Sequence, residues 1–467
     1  MNNFDLIIIG GGAGGFASAI QANESGARTA LINSGLPFGG TCVNVGCVPS
    51  KALLYAGEVM HLAKNHGIPG LDIEIRNFDF KKIVQDELSL VELLRKEKYE
   101  KVLNSLPNVI PIEGKARFTS KNTLEVNGES ITADKLIIAT GSTASVPPIE
   151  GIKETGYLTH IEALNLDKRP DELAIIGAGP LGLEFAQMYA RFGATVTVLE
   201  RITSIFPHTE AALAAKLAEV LRDEGIIIQT NVEVISARRQ DDKKVLAYQE
   251  EGKHHEVLAD EILLAAGKTA NTEDLGLDVA GVETDHRKSI VVNDSFQTSN
   301  PDIYAVGDVT SLPLRLEITA GREGTLACGN ALSGSKGTVD YNTVPYTIFT
   351  DPQLAGVGFT EDEQMRQMGV CACRTVSFAS VPKAIILRRT EGLIKMAIHP
   401  ETKQIMGVHI LSPNAGELVA EAMMLVKNKN TIDDVVNSTP MFPTLSEAIK
   451  VVALSFTRDI STLSCCI

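Results

Sequence analysis

The chain has 467 residues, 44% of them hydrophobic and 22% charged, a globular composition that excludes a disordered polypeptide. Its length predicts two to three domains rather than one core. The formal net charge of −15 argues against a nucleic-acid phosphate backbone as main partner, and no segment approaches the roughly 20 apolar residues that a bilayer crossing needs. The apolar run Leu6 to Ile9 is too short for a secretory signal core, lacks a basic flank and leads straight into glycines. A cytoplasmic protein is expected.

Phe4 to Ile9 reads as a short buried parallel strand, followed by Gly10-x-Gly12-x-x-Gly15, an Ala-rich helix, and a second strand, Thr29 to Ile32, closing at Asn33. The same order returns as Leu173 to Ile176, Gly177-x-Gly179-x-x-Gly182, a helix through Phe192, and a strand from Thr195 to Leu199 closing at Glu200. From first glycine to strand end the spacing is 23 residues in both copies. One such glycine pattern is weak evidence. Two copies in the same strand–turn–helix–strand context predict two dinucleotide sites, because the glycines allow a tight turn and let a pyrophosphate approach a helix N-terminus. Asn33 and Glu200 then fall where a ribose is hydrogen-bonded, which at Glu200 favours NADH. Arg201, beside it, could instead meet a 2′-phosphate.

Between the two copies lies Gly39-Gly40-Thr41-Cys42-Val43-Asn44-Val45-Gly46-Cys47-Val48-Pro49-Ser50-Lys51, which reads as a redox-active cysteine pair next to a dinucleotide site. A low thiol pKa is expected if the pair begins a helix beside cationic Lys51. Residues 58 to 105 read as a solvated, amphipathic helical insertion. Two strand ends close on glycines, one at Ala139-Thr140-Gly141 and one at Gly267, and the apolar stretch Thr298 to Asp308 delivers Asp308 to a turn. After Tyr341 shorter strands and late helices predict a third, α+β domain running to Phe456.

The seven cysteines are too few, and odd in number, for a disulfide scaffold. Cys465 and Cys466, next to the C-terminus, read as a collector of soft ligands on a mobile tail. Cys371-x-Cys373 is expected to play a surface or half-buried structural part, Cys328 to be a small core residue, and His254-His255 to be solvated in a turn-like segment.

Together, the two fingerprints, the Cys-x4-Cys-x-Pro-Ser-Lys motif, the Ala-Thr-Gly strand end and the Tyr304-Ala305-Val306-Gly307-Asp308 segment resemble the flavin-dependent pyridine nucleotide-disulfide oxidoreductases over essentially the whole chain. The resemblance implies an α/β fold with two Rossmann-like dinucleotide-binding domains and a C-terminal α+β dimerisation domain. The implied division is an FAD domain from residues 1–145 and 269–338, an NAD(P)H domain at 146–268, and a dimerisation domain at 339–467. It further implies FAD at the first fingerprint and the nicotinamide cofactor at the second. Asp308 would meet the ribityl chain, Lys51 and Glu184 would flank the flavin ring, Cys47 would be the flavin-proximal sulfur and Cys42 would face substrate.

The C-terminal pair is similar to that of the mercuric reductases within this family. Disulfide-reducing members carry His in a His-Pro-Thr-x-x-Glu segment, where this chain has Phe442-Pro443-Thr444-Leu445-Ser446-Glu447. Loss of that acid/base costs about 10²–10⁴ in rate for disulfide reduction, whereas reducing Hg(II) needs no proton for a leaving thiol. Mercuric reductases more often have Tyr at that position. The expected substrate is Hg(II) as a thiol complex, taken up by Cys465 and Cys466 and passed to Cys42 and Cys47, since thiolates prefer soft ions. In the family the tail reaches the partner's site in a homodimer, and NADPH is the usual reductant, with NADH expected to work. A dihydrolipoyl dehydrogenase-like or thioredoxin reductase-like enzyme, and a metal-sequestering thiol protein, are the alternatives.

Overall fold

Strand Asn2–Ile9 is apolar on both faces, with Leu6, Ile7 and Ile8 wholly buried, and so occupies the middle of a sheet covered on two sides. The computed structural model describes residues 2–462 and residue 464. The sheet order runs Val109–Glu113, Thr29–Asn33, Asn2–Ile9, Glu129–Ile138, then the short strands Thr123–Val126 and Ala116–Phe118. Strand Glu129–Ile138 divides its outer edge. Its first residues pair antiparallel with Thr123–Val126, and Leu136 to Ile138 pair in parallel with Ile303–Ala305. Chain from beyond residue 300 thereby completes a sheet begun at the N-terminus.

Helix Ala13–Glu24 packs on this sheet and against helix Glu317–Ser333. The approach is very close: a Cβ on Gly324 would strike the carbonyl of Gly14, and Ser18 Oγ donates to both Gly14 O at 2.8 Å and Gly324 O at 3.0 Å.

A second sheet has the parallel order Ile227–Gln229, Thr195–Leu199, Glu172–Ile176, Glu261–Leu264, beside an antiparallel trio, Val232–Gln240, Lys243–Glu250 and Lys253–Ala259. The two strands Ser142–Ala144 and Lys268–Ala270 pair antiparallel where the chain enters and leaves this second unit. From Tyr346 onward, five antiparallel strands in the order Tyr346–Ile348, Gln353–Gly358, Ile405–Ser412, Leu393–Ile398, Ala372–Ser377 form a third sheet. Helices Ala415–Lys427 and Glu447–Leu454 bury their apolar faces on it.

Three expectations need correction. Helix Cys47–Asn65 stops ahead of Gly67-Ile68-Pro69-Gly70, and the region 66–79 is not helical before helix Phe80–Arg95 begins, capped by Asp79 accepting from Lys82 N at 3.0 Å. Glycine and proline break what charge pattern alone joined into one insertion. The stretch Thr298 to Asp308 forms a strand only at Ile303–Ala305, because Thr298 to Pro301 turn on their own side chains. His254 and His255 lie in strand Lys253–Ala259, the turn being Glu251-Gly252, and His255 stacks on Tyr248 with ring centroids 5.3 Å apart. Cys371 and Cys373 take the half-buried structural part expected of them, as a disulfide to each other, and Cys328 is a fully buried core residue as expected.

The three units meet at a buried ion network. Arg191, whose side chain is 5% exposed, lies 2.8 Å from Glu224 and 3.0 Å from Asp351. Arg389 reaches Asp351 and, at 3.4 Å, Glu58 on the helix that starts at Cys47. Removing one partner of a buried network leaves the others uncompensated, at a cost of about 3–5 kcal/mol. Arg191→Met is therefore expected to move the urea unfolding transition to clearly lower concentration; an unchanged transition would show that solvent reaches these charges.

Candidate functional site

The two glycine fingerprints adopt the same local structure. In the first, a Cβ on Gly15 would collide with the carbonyl of Gly10, and one on Gly10 with the carbonyl of Ala139. In the second, Gly182 stands in the same relation to Gly177, and Gly177 to Ala265. Gly12 and Gly179 precede helices Ala13–Glu24 and Pro180–Arg191, and beside Gly179 there is open space where a Cβ would stand. The strand-end residues also match: Asn33 Oδ1 accepts from Gly11 N at 3.1 Å, and Glu200 Oε2 accepts from Ala178 N at 2.6 Å. Each group retains acceptor capacity for a ribose hydroxyl. Arg201, next to Glu200, is exposed. Both loops thus leave bare backbone and helix N-terminal amides where a pyrophosphate fits.

A cavity of about 670 Å³ brings together Gly12, Thr41, Cys42, Cys47, Lys51, Ala139, Gly141, Glu184 and Asp308. Gly10, Gly15 and Asn33 lie behind its glycine loop, and Thr140 is tied to Asn271 by hydrogen bonds of 2.8 and 2.9 Å. Gly177, Gly179, Gly182, Glu200, Arg201 and Gly267 are not in its lining and belong to the second fingerprint's side of the molecule. Asp308 sits in a short 3-10 turn fixed by buried Glu323, which accepts from Gly307 N at 2.7 Å and from Tyr341 OH at 2.9 Å. Asp308 in turn accepts from Ser142 Oγ at 2.7 Å and has Lys268 Nζ at 3.5 Å.

Cys42 lies in the short helix Gly40–Val45, and Cys47 is the first residue of the long helix Cys47–Asn65, with Gly46 between the two helices. A Cβ on Gly46 would press on the Thr41 carbonyl at 2.9 Å, so the break that folds one sulfur toward the other needs a glycine. Both cysteines carry free thiols. Cys42 donates a hydrogen bond to Cys47, and this, ahead of the Lys51 charge, lowers the Cys47 pKa from 9.0 to about 7. Burial and the carboxylates Glu317 and Glu184 oppose the shift: Cys47 opens onto the cavity, but the atoms crowded round its sulfur still desolvate it. The Cys42 pKa is pushed far up, first by its role as donor to Cys47 and then by burial.

Lys51, one turn after Cys47, places Nζ 2.7 Å from Glu184 Oε2 on helix Pro180–Arg191 and 4.6 Å from the centre of the Phe349 ring. The other oxygen of Glu184 accepts from Phe349 N at 2.9 Å. Phe349, Glu317, Tyr99 and His160 were not recognisable from sequence; each comes from a different part of the chain, with no motif to mark it. Cys465 and Cys466 lie outside the described residues. Among the described residues no group of three or more His, Cys, Asp or Glu side chains is arranged to hold a metal ion, and no helix is long and apolar enough to cross a membrane.

The paired fingerprints and the sulfur pair between them define a nucleotide-linked thiol redox protein, and comparison with known families agrees. Residues 4–324 match the pyridine nucleotide-disulphide oxidoreductase family and residues 344–453 its dimerisation domain, so the chain belongs to that family and is an NAD(P)H-dependent flavoprotein oxidoreductase. The dimerisation domain supports a homodimer. Among its relatives, a mercuric reductase of Lysinibacillus sphaericus is 37% identical over 100% of this chain and 85% of its own. One of Streptomyces lividans is 36% identical over 99% of this chain and 98% of its own. The solved Cu(II) complex of the HOCl-induced flavoprotein disulfide reductase RclA from Escherichia coli superposes with a TM-score of 0.88 at 28% identity, covering 98% of this chain and 100% of that one.

In the reduced protein, alkylation of Cys47 is expected to rise with a midpoint near pH 7, with Cys42 reacting only in more alkaline solution. Lys51 favours the thiolate, so Lys51→Met should move that midpoint upward and leave less reactive sulfur at neutral pH. Peptide mapping after timed alkylation measures both, and an unmoved midpoint would assign the shift to the Cys42 hydrogen bond alone.

Proposed function

We propose that this protein reduces Hg(II) to Hg(0) with NAD(P)H as reductant, through FAD and the Cys42/Cys47 pair. The observation that carries the reading is the Phe442 segment, joined to the names of the relatives. Phe442, at 43% exposure, presents an apolar ring where a disulfide reductase of this family would present an imidazole. Glu447 stays, accepting from Thr444 N at 3.1 Å, and orders the turn without supplying a proton carrier. Without that imidazole, turnover of organic disulfides is slowed by the factor general acid–base catalysis normally supplies. A metal complex needs thiolate ligands instead, and the Cys47 thiolate forms near neutral pH.

In this reading residues 1–145 with 269–338 hold FAD, residues 146–268 hold the nicotinamide cofactor, and residues 339–467 form the dimer. Gly10, Gly12, Gly15, Asn33, Thr41, Ala139, Thr140, Gly141 and Asp308 hold FAD; Gly177, Gly179, Gly182, Glu200, Arg201 and Gly267 hold NADPH, with NADH as a second reductant. When bound, FAD supplies a two-electron path from nicotinamide to the sulfur pair. Lys51 and Glu184 hold the charge balance beside Cys47. Cys465 and Cys466 take Hg(II) from a cellular thiol and pass it to Cys42 and Cys47 of the partner subunit by ligand exchange. The cytoplasm, where thiols stay reduced, suits this relay.

The deciding assay is anaerobic NADPH and NADH oxidation by FAD-loaded protein with Hg(II) and excess small thiol, with mercury vapour trapped. Elemental mercury in step with nicotinamide oxidised is the expected result, and the two rates rank the cofactors. Turnover of lipoamide or glutathione disulfide without vapour would overturn it. Replacing Cys465 and Cys466 by Ala should spare electron transfer to an artificial acceptor while slowing thiol-bound Hg(II) on the order of tenfold or more, since the relay's local concentration is lost. Equal Hg(II) turnover would remove the tail from the mechanism.

A further inference from the structure

The Cys371–Cys373 disulfide lies apart from the cavity, whose lining contains neither residue. It closes a loop around Ala372 alone, and so short a loop removes little freedom from the unfolded chain. The backbone beside it is held by other means. Gln364, wholly buried, donates from Nε2 to Val370 O at 3.1 Å and to Ile398 O at 3.0 Å. Ala372 and Cys373 pair with Ile398 and Ala397. Ala372 and Val376 belong to the core beneath helix Glu447–Leu454, so strand alternation sends Cys371 and Cys373 together to the opposite side. Strand Ala372–Ser377 is the last of its sheet, and both cysteines are half-buried, within reach of solvent. Thr375, two residues on, pairs with Lys395, whose Nζ meets Glu361 at 2.6 Å, so helix Glu361–Met368 lies on the cysteines' side. Its first-turn carboxylates Glu361 and Glu363 are engaged, the latter by Thr360 N at 2.9 Å. Its last turn carries Met365 and Met368, both exposed, and four sulfur side chains thus fall within the nine residues 365–373, with no carboxylate or imidazole between them.

We propose that Cys371 and Cys373, once reduced, form a second metal site that chelates a soft cation satisfied by two thiolates, Hg(II) being the probe. The reductant is a small thiol: two RSH and the disulfide give the Cys371/Cys373 dithiol and RSSR. The dithiol then meets Hg(SR)2. Two Hg–S bonds to the carrier break and two to the protein form, while the two cysteine protons leave on the carrier as 2 RSH, with no electron transferred. Thiolates in soft surroundings select such an ion over Zn(II), which needs four ligands. Because pairing and Gln364 already fix the backbone on both sides, the second thiolate closes on the metal at high local concentration, which separate carrier thiols cannot match. The disulfide form offers no thiolate, so the site opens and shuts with the thiol status of its surroundings. None of this depends on metal reduction in the cavity.

The test counts mercury retained by the FAD-loaded, full-length chain. Protein is treated with a small monothiol, freed of it without air, given Hg(II) bis-thiolate in the absence of NADPH, and gel-filtered. The native chain should retain one equivalent more than the Cys371→Ser/Cys373→Ser variant, and its Cys371 and Cys373 peptides should resist iodoacetamide while the metal is bound. Cys371→Ser alone should lose that equivalent to carrier thiol on the order of tenfold more readily, since one thiolate cannot chelate. A chain with Cys42, Cys47, Cys465 and Cys466 replaced by Ala should still retain one equivalent of Hg(II) after thiol treatment, none without it, and no Zn(II). Equal retention by the native and double-serine chains, or free alkylation of both peptides with mercury bound, overturns the proposal; stoichiometric Zn(II) overturns the choice of a soft ion. One equivalent at this pair with no mercury vapour in the NADPH assay leaves the site standing and the reductase reading fallen, and vapour without that equivalent does the reverse.

Discussion

The contact on which the site depends is the Lys51–Glu184 ion pair, 2.7 Å long and completed by the Phe349 amide on the second carboxylate oxygen. Its three members come from the helix behind Cys47, the helix behind the second glycine fingerprint, and the edge of the third sheet. Each oxygen of Glu184, a carboxylate with only 6% of its side chain exposed, is thereby given a donor. A buried acid so satisfied is tolerable; the same acid without Lys51 would be an uncompensated charge. This contact joins the three units at the cavity, as the Arg191 network joins them elsewhere. Its Lys51 charge adds to the larger influence of Cys42 in lowering the Cys47 pKa.

The sulfur pair shows how modest devices add to a reactive thiol. Gly46 lets two helices meet at a sharp break, so that Cys42 can donate to Cys47 while Cys47 begins a long helix. Burial works against the charged form of both sulfurs. The hydrogen bond and Lys51 outweigh it at Cys47; at Cys42 nothing does. Two chemically identical side chains thus acquire different acidities from position alone. Glu317 adds a negative charge that makes both harder to ionise.

Much of this was legible in the chain because it is encoded locally. The paired glycine patterns translate into paired geometry down to the same hydrogen bond, Asn33 to the second residue of one loop and Glu200 to the second residue of the other. The failures have local causes too. Residues 66–79 lost their helix to Gly67, Pro69 and Gly70, and Thr298 to Pro301 became a side-chain-stabilised turn rather than strand. Cys371 and Cys373, by contrast, have the half-buried structural role their spacing suggested, as a disulfide to each other.

Sequence by itself determined the elements whose physics is short-range: the buried parallel strands, the two phosphate-ready turns, and a pair of cysteines leading into a helix. Tertiary structure alone decided which distant residues share the cavity. Phe349 stands 298 positions beyond Lys51 and Glu317 stands 270 positions beyond Cys47, so neither could be linked to them by any local pattern. A charge acts through space and not along the chain, which is why the acidity of Cys47 became readable only once the three sheets were folded against one another.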